Sequence, residues 1–96
     1  EIVYYFGDLD FEGIGIFNSM ASRYGKHLIV PHVKLYRQML EEAKNPPKLR
    51  TKQSDISIDL FLMYFDEENK KRIKEILYED RYIPQEAVNF GREINI

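Results

Sequence analysis

Two aspartates one residue apart, Asp8 and Asp10, stand where the apolar run 2–6 (IVYYF) stops, and Glu12 follows two residues later. Acids in this pattern suit three roles: holding a divalent cation, attacking a phosphoryl group, or closing off a strand and capping a helix. If the backbone stays extended, acids at i and i+2 point the same way about 7 Å apart, a spacing that holds one Mg²⁺ or brackets two. Glu12 would add a ligand, or would complement the positive end of a helix that starts here. In the purely structural alternative Asp8 ends the strand and Asp10 caps the helix. A cap accounts for only one of the two aspartates, and Gly7 and Gly13 on either side allow backbone or phosphate to come close. The run Gly13-Ile14-Gly15 is no dinucleotide fingerprint, because it falls inside the helix and lacks the third glycine at the required spacing.

The elements that must position these acids are legible from periodicity. Residues 2–6 are short, apolar and rich in β-branched and aromatic types, which predicts a strand buried on both faces and ended by Gly7. Asp10 then caps a helix over 11–24, with Ile14, Phe17, Ala21 and Tyr24 on its inner stripe and Gly25 as its C-terminal stop. A second apolar run, 27–30 (HLIV), follows, so the two strands are expected parallel in a βαβ unit. Acids at the carboxyl end of a parallel strand lie where such sheets build their sites.

Pro31 opens the next predicted helix, with Val33, Tyr36, Leu40 and Ala43 inward, and Asn45, Pro46 and Pro47 break it. Residues 48–53 (KLRTKQ) read as an exposed basic loop. The segment 56–65 is expected to be a helix capped by Ser54 or Asp55. Asp66 caps another through about Glu79, with Ile73, Ile76 and Leu77 inward and Glu67/Lys71, Glu68/Arg72 and Lys71/Glu75 pairs outward. Residues 80–83 form a turn, and Pro84 starts a last helix carrying Gln85, Glu86, Val88 and Asn89. The fold class is therefore α/β: a parallel βαβα unit with a C-terminal helical segment.

Ninety-six residues suffice for one small domain with one core. A formal charge of −2 provides no general attraction to nucleic acid or anionic membrane, so any DNA contact must come from a local patch. Without cysteine there are no disulfides and no thiolate metal sites, and the cytoplasm is the default expectation. No apolar run approaches the roughly 20 residues that span a bilayer, so no membrane partner is expected. The chain starts at Glu1 and enters a strand-like run almost at once, which reads as a piece of a longer protein.

A strand followed by G-D-x-D-x-x-G-x-x-I and a helix resembles the acidic half of a Toprim domain, the metal-binding fold of primases, topoisomerases and related nucleases. Residues 5–13 (YFGDLDFEG) are most similar to the Toprim nuclease subunit of the Wadjet plasmid-defence system, where the run reads approximately W-G-D-I-D before a glycine-containing helix, and more distantly to the A subunit of type IIB topoisomerases. A second word, residues 81–86 (RYIPQE), resembles the R-L-E-Q-E run near that family's C-terminus.

The resemblance implies that this chain is the C-terminal part of a partial Toprim-like domain. It implies Asp8 and Asp10 as ligands of Mg²⁺ or Mn²⁺, Glu86 near the site, and metal-dependent DNA cleavage in anti-plasmid defence, with DNA, further complex subunits and a second copy as partners. A Toprim site also needs a glutamate on an earlier strand, which this chain starts too late to contain, so the piece alone is expected to be inactive.

Two other classes share these features. Haloacid-dehalogenase-like phosphatases place D-x-D after an apolar strand, the first aspartate as nucleophile; they normally carry a small hydroxyl or apolar residue where Glu12 stands, and no downstream lysine and acidic pair is evident here. A Toprim-like remnant that only mediates assembly is the non-enzymatic class. Lys48, Arg50 and Lys52, with Lys44 nearby, are the candidate phosphate contacts. His27 and His32 are expected to be plain element-end residues, and most of the seven tyrosines, including Tyr4, Tyr36 and Tyr78, to be packed.

Overall fold

The structure is a computed structural model that describes residues 1–88. Its elements run β1 (Val3–Tyr5), α1 (Phe11–Tyr24), β2 (Ile29–Pro31), α2 (Val33–Glu42), α3 (Asp59–Leu62), α4 (Glu67–Tyr78) and one 3₁₀ turn (Gln85–Ala87). The strands pair in parallel with Val3 opposite Ile29 and Tyr5 opposite Pro31. This is the expected α/β class, built on a two-stranded parallel sheet.

Helix α1 starts and stops where its caps dictate. Asp10 accepts a hydrogen bond from Gly13 N–H, and Gly25, at φ 104°, closes the last turn by donating to Ala21 O. Ile14, Phe17 and Ala21 are buried as the spacing predicts, whereas Tyr24 in the last turn is exposed. Phe17 joins a ring cluster with Phe61, and Phe61 in turn packs edge-on against Tyr36 at 5.0 Å between centroids. This cluster ties α1, α2 and α3 into one core with Ile73, Ile76 and Leu77 from α4.

Several expectations fail for identifiable reasons. The first strand is not buried on both faces: Val3 and Tyr4, which point to opposite sides of the two-stranded sheet, remain 49% and 62% exposed, since neither face is fully covered at this strand. Pro31 completes β2 and does not open α2; His32 caps that helix, its Nδ1 accepting from Leu35 N–H at 3.2 Å. The segment 56–65 is helical only over α3, without a side-chain cap from Ser54 or Asp55, because Ile56, Ile58 and Phe61 follow the core surface instead of one helical stripe.

The α4 surface pairs also differ. Its ion pair is Lys70–Glu67 at 3.0 Å, and Arg72 turns to the carbonyls of Ala43 and Lys44, which the end of α2 leaves without partners. Tyr78 is exposed at the end of α4, while Tyr36 is fully buried. The predicted last helix is a single 3₁₀ turn as far as Val88, and Asn89 lies outside the described residues.

What positions the site is the chain reversal after α4. Asp80 adopts φ 58°, Arg81 N–H donates to Ile76 O and Asp80 N–H to Leu77 O, a Schellman closure with aspartate in the left-handed position. The reversal sends residues 81–85 back across the molecule. Arg81 pairs with Lys48, and Ile83 pairs antiparallel with Leu9, next to the aspartates. Among the described residues no helix is long and apolar enough to cross a membrane.

Candidate functional site

The segment after β1 stays extended, and Leu9 is fully buried while exchanging both backbone hydrogen bonds with Ile83, at 2.8 and 3.2 Å. In extended chain neighbouring side chains alternate, so Asp8 and Asp10 share the face opposite Leu9. Both sit at the carboxyl end of β1, directly before α1.

Each carboxylate is held by named donors. Asp8 Oδ1 accepts from Gln85 N–H at 2.8 Å, which fixes the start of the 3₁₀ turn against the strand end. Asp10, only 6% exposed, accepts from Gly13 N–H through Oδ1 at 2.7 Å and from Gln53 Nε2 through Oδ2 at 3.2 Å. The other end of the same carboxamide, Gln53 Oε1, accepts from Glu12 N–H at 3.0 Å. Gln53 thus spans the first turn of α1 from a loop 43 residues away from Asp10.

Close packing explains the glycines on either side: a Cβ on Gly7 would meet the Tyr5 phenol, and one on Gly13 would meet backbone. A Cβ on Gly13 would collide with the Asp8 carbonyl oxygen, so α1 approaches the strand end more closely than any side chain permits. Gly7 donates its N–H to the Tyr36 hydroxyl at 2.9 Å, and the Tyr5 hydroxyl donates to Gly13 O at 2.7 Å.

These two phenols report on the local field. Burial, and then the negative charges of Asp10 and Asp8, push the Tyr5 hydroxyl up to about 12. Burial also drives Tyr36 well above the usual tyrosine range, opposed by the Gly7 N–H that it accepts and reinforced by Tyr5, Asp8 and Asp10. In both phenols burial is the first cause, and the neighbouring aspartate charges add to it.

The remaining expected site residues are less converged. Glu12 is exposed, and its backbone N–H is what contacts Gln53. Glu86 is exposed on the 3₁₀ turn; its neighbour Gln85 makes the contact with Asp8. Among the described residues no three His, Cys, Asp or Glu side chains gather around one point. Lys48, Arg50 and Lys52 are exposed, but their loop is not free: Leu49 N–H donates to Asp80 O, Tyr82 N–H to Pro47 O, Arg81 Nη1 to Pro46 O, and Gln53 reaches Asp10. The loop is a strap beside the aspartates. His32 has a capping role and His27 is exposed beside Gly25.

Sequence reasoning missed Gln53 and the Gln85 amide. Neither carries a local signal, since a glutamine in a polar loop and a backbone N–H become partners of Asp10 and Asp8 only through the tertiary fold. Comparison of this chain with models of known protein families, with characterised proteins and with solved structures finds no match.

Proposed function

We propose that Asp8 and Asp10 are the cation-holding part of a Toprim-like centre for metal-dependent DNA cleavage, working with residues and subunits beyond this stretch. The observation that carries the reading is the meeting of two distant words. The D-x-D at the end of a parallel strand and the segment 81–85 are joined by the Leu9–Ile83 pairing and by Gln85 N–H on Asp8.

The donors fit Mg²⁺ or Mn²⁺. An ionised carboxylate offers about four lone-pair positions, so one or two N–H contacts leave room for a cation. Mg²⁺ is commonly held by one or two carboxylates, with water and substrate phosphate completing its shell. A bound cation would supply Lewis-acid stabilisation at the phosphoryl oxygens. Asp8 and Asp10 would hold it, the Gln85 amide and the α1 cap fixing their orientation, and Glu86 is the next carboxylate along the turn. Lys48, Arg50 and Lys52 on the adjoining strap would contact the DNA backbone, with an affinity that falls steeply as salt rises.

One observation favours a second reading, a non-catalytic assembly module: both aspartates already have structural partners, and Ile2, Val3 and Tyr4 leave an apolar strand exposed. The discriminating test uses the full chain with its neighbouring subunits and supercoiled plasmid in Mg²⁺ or Mn²⁺, comparing wild type with Asp8→Asn and Asp10→Asn. Asparagine still caps a helix, so the fold is retained and checked by circular dichroism. Cleavage lost in both variants supports the cation reading. Equal cleavage in all three overturns it, and no cleavage by any of them favours assembly.

A further inference from the structure

His32 ties the end of β1 to the start of α2. Its backbone N–H donates to Tyr5 O at 2.7 Å, its O accepts from Tyr36 N–H at 3.1 Å, and its imidazole Nδ1 accepts from Leu35 N–H at 3.2 Å. Helices α1 and α4 use aspartate for the last of these contacts, Asp10 on Gly13 N–H and Asp66 on Asn69 N–H. The two kinds of cap respond differently to protons. A carboxylate keeps its acceptor oxygens throughout the range in which histidine changes charge, about pH 5 to 8. The imidazolium has no acceptor, because both of its ring nitrogens carry hydrogen.

We propose that His32 is a proton-operated cap: the neutral ring fixes the first turn of α2, and the charged ring lets that turn go. Leu35 N–H can only donate, so Nδ1 must be bare and Nε2 must carry the hydrogen of the neutral ring. Protonation sets donor against donor at this contact, and no rotation of the ring restores an acceptor. It also places a charge at the positive end of a helix, where cations are unfavourable. The first turn of α1 holds Glu12 and that of α4 holds Glu67 and Glu68, whereas that of α2 holds Lys34 and no acid.

The remaining neighbours offer the charged ring no counter-ion. Tyr4 from β1 packs edge-on, with ring centroids 5.7 Å apart, and Tyr64 and Lys34 line the same cleft, where none of the described lining residues is acidic. The cleft is open, with a volume of about 380 Å³, so the ring has room to turn away from Leu35 towards solvent. The start of α2 and the apolar cleft that it borders are therefore sensitive to acidification in a way that the aspartate-capped helices are not. This inference is independent of the cation reading of Asp8 and Asp10.

The test follows amide hydrogen exchange in the full chain from pH 8 to pH 5, as protection factors, so that the intrinsic pH dependence of exchange divides out. Protection at Leu35 is expected to fall about three- to fivefold, the equivalent of losing one cap, while protection at Gly13 and Asn69 holds. In His32→Asn, whose cap does not titrate, protection at Leu35 should stay level across the range. Constant protection at Leu35 in wild type, or the same fall in His32→Asn, overturns the proposal. A second measurement needs no variant: at pH 8 the ¹⁵N signals of the His32 ring should show a bare Nδ1 and a protonated Nε2. The opposite tautomer overturns the proposal, because Nδ1 would then be unable to accept from Leu35.

Discussion

Asp10 and Asp66 do the same local work. Each precedes a helix, adopts extended backbone, and accepts a hydrogen bond from the amide three residues on, Gly13 N–H at 2.7 Å and Asn69 N–H at 2.9 Å. Their surroundings differ completely. Asp66 is exposed at the start of a helix whose outer face carries the solvated Lys70–Glu67 pair. Asp10 is buried, shares its second oxygen with Gln53, and stands beside Asp8, Tyr5 and Tyr36. A cap alone does not mark a site; a cap whose remaining oxygen is contested by a distant residue, in a buried setting, is a better candidate.

Replacing each aspartate by alanine gives the largest effect and tests whether that difference is energetic. Loss of a cap costs about 1 kcal/mol, which is the whole expectation for Asp66→Ala. Asp10→Ala should cost about 3 kcal/mol, because burying the Gly13 and Gln53 donors without partners adds their desolvation. Urea unfolding of both variants checks this. Equal losses would mean that the Gln53 contact contributes nothing and that Asp10 is an ordinary cap.

What the sequence revealed follows the same division. The bounds of α1, its caps Asp10 and Gly25, and the Asp66 cap of α4 were legible, because each rests on residues within one turn. The parallel pairing of β1 with β2 was also legible, since an intervening helix leaves little choice. The exposure of Val3 and Tyr4 was not, because apolar composition states what a strand could bury but not whether anything lies over it. The His32 cap was hidden by Pro31, a strong helix opener placed one residue earlier. At the candidate site, the sequence singled out the aspartates but not Gln53 or the Gln85 amide, whose contacts exist only once the reversal at Asp80 has returned the chain to Leu9.

The glycines of α1 sharpen the comparison at its next level. Gly13 and Gly15 are both helical, yet a Cβ on Gly13 meets the Asp8 carbonyl, while one on Gly15 meets only the Ile56 methyl at 3.4 Å. Gly13→Ala should therefore destabilise by about 2–3 kcal/mol, since overpacking against fixed backbone has no easy relaxation. Gly15→Ala should stabilise by about 0.5–1 kcal/mol through helix propensity alone. Thermal unfolding of the pair reads the sign directly; two variants of the same sign would mean that the close approach of α1 to the strand end is not maintained.

Alkaline titration probes the smallest difference, the burial of the Tyr36 phenol beside the strand end. Tyr36 keeps its proton in the folded chain well above the usual tyrosine value, and burial is the first cause. Above about pH 10 the unfolded chain releases that proton while the native chain retains it, so the native state binds more protons and stability falls as pH rises. Tyr36→Phe removes this loss but also leaves Gly7 N–H unpaired, so near neutral pH the variant should be about 1 kcal/mol less stable than wild type. As pH rises past 10, wild type alone loses up to about 1.4 kcal/mol per pH unit through this phenol, so the two stability curves should cross near pH 11. All other titrating groups are common to both proteins and cancel in the difference. Parallel curves from pH 9 to about 11.5 would show that the Tyr36 hydroxyl ionises as readily in the folded chain as in the unfolded one, and the sealed environment inferred for this phenol would have to be abandoned.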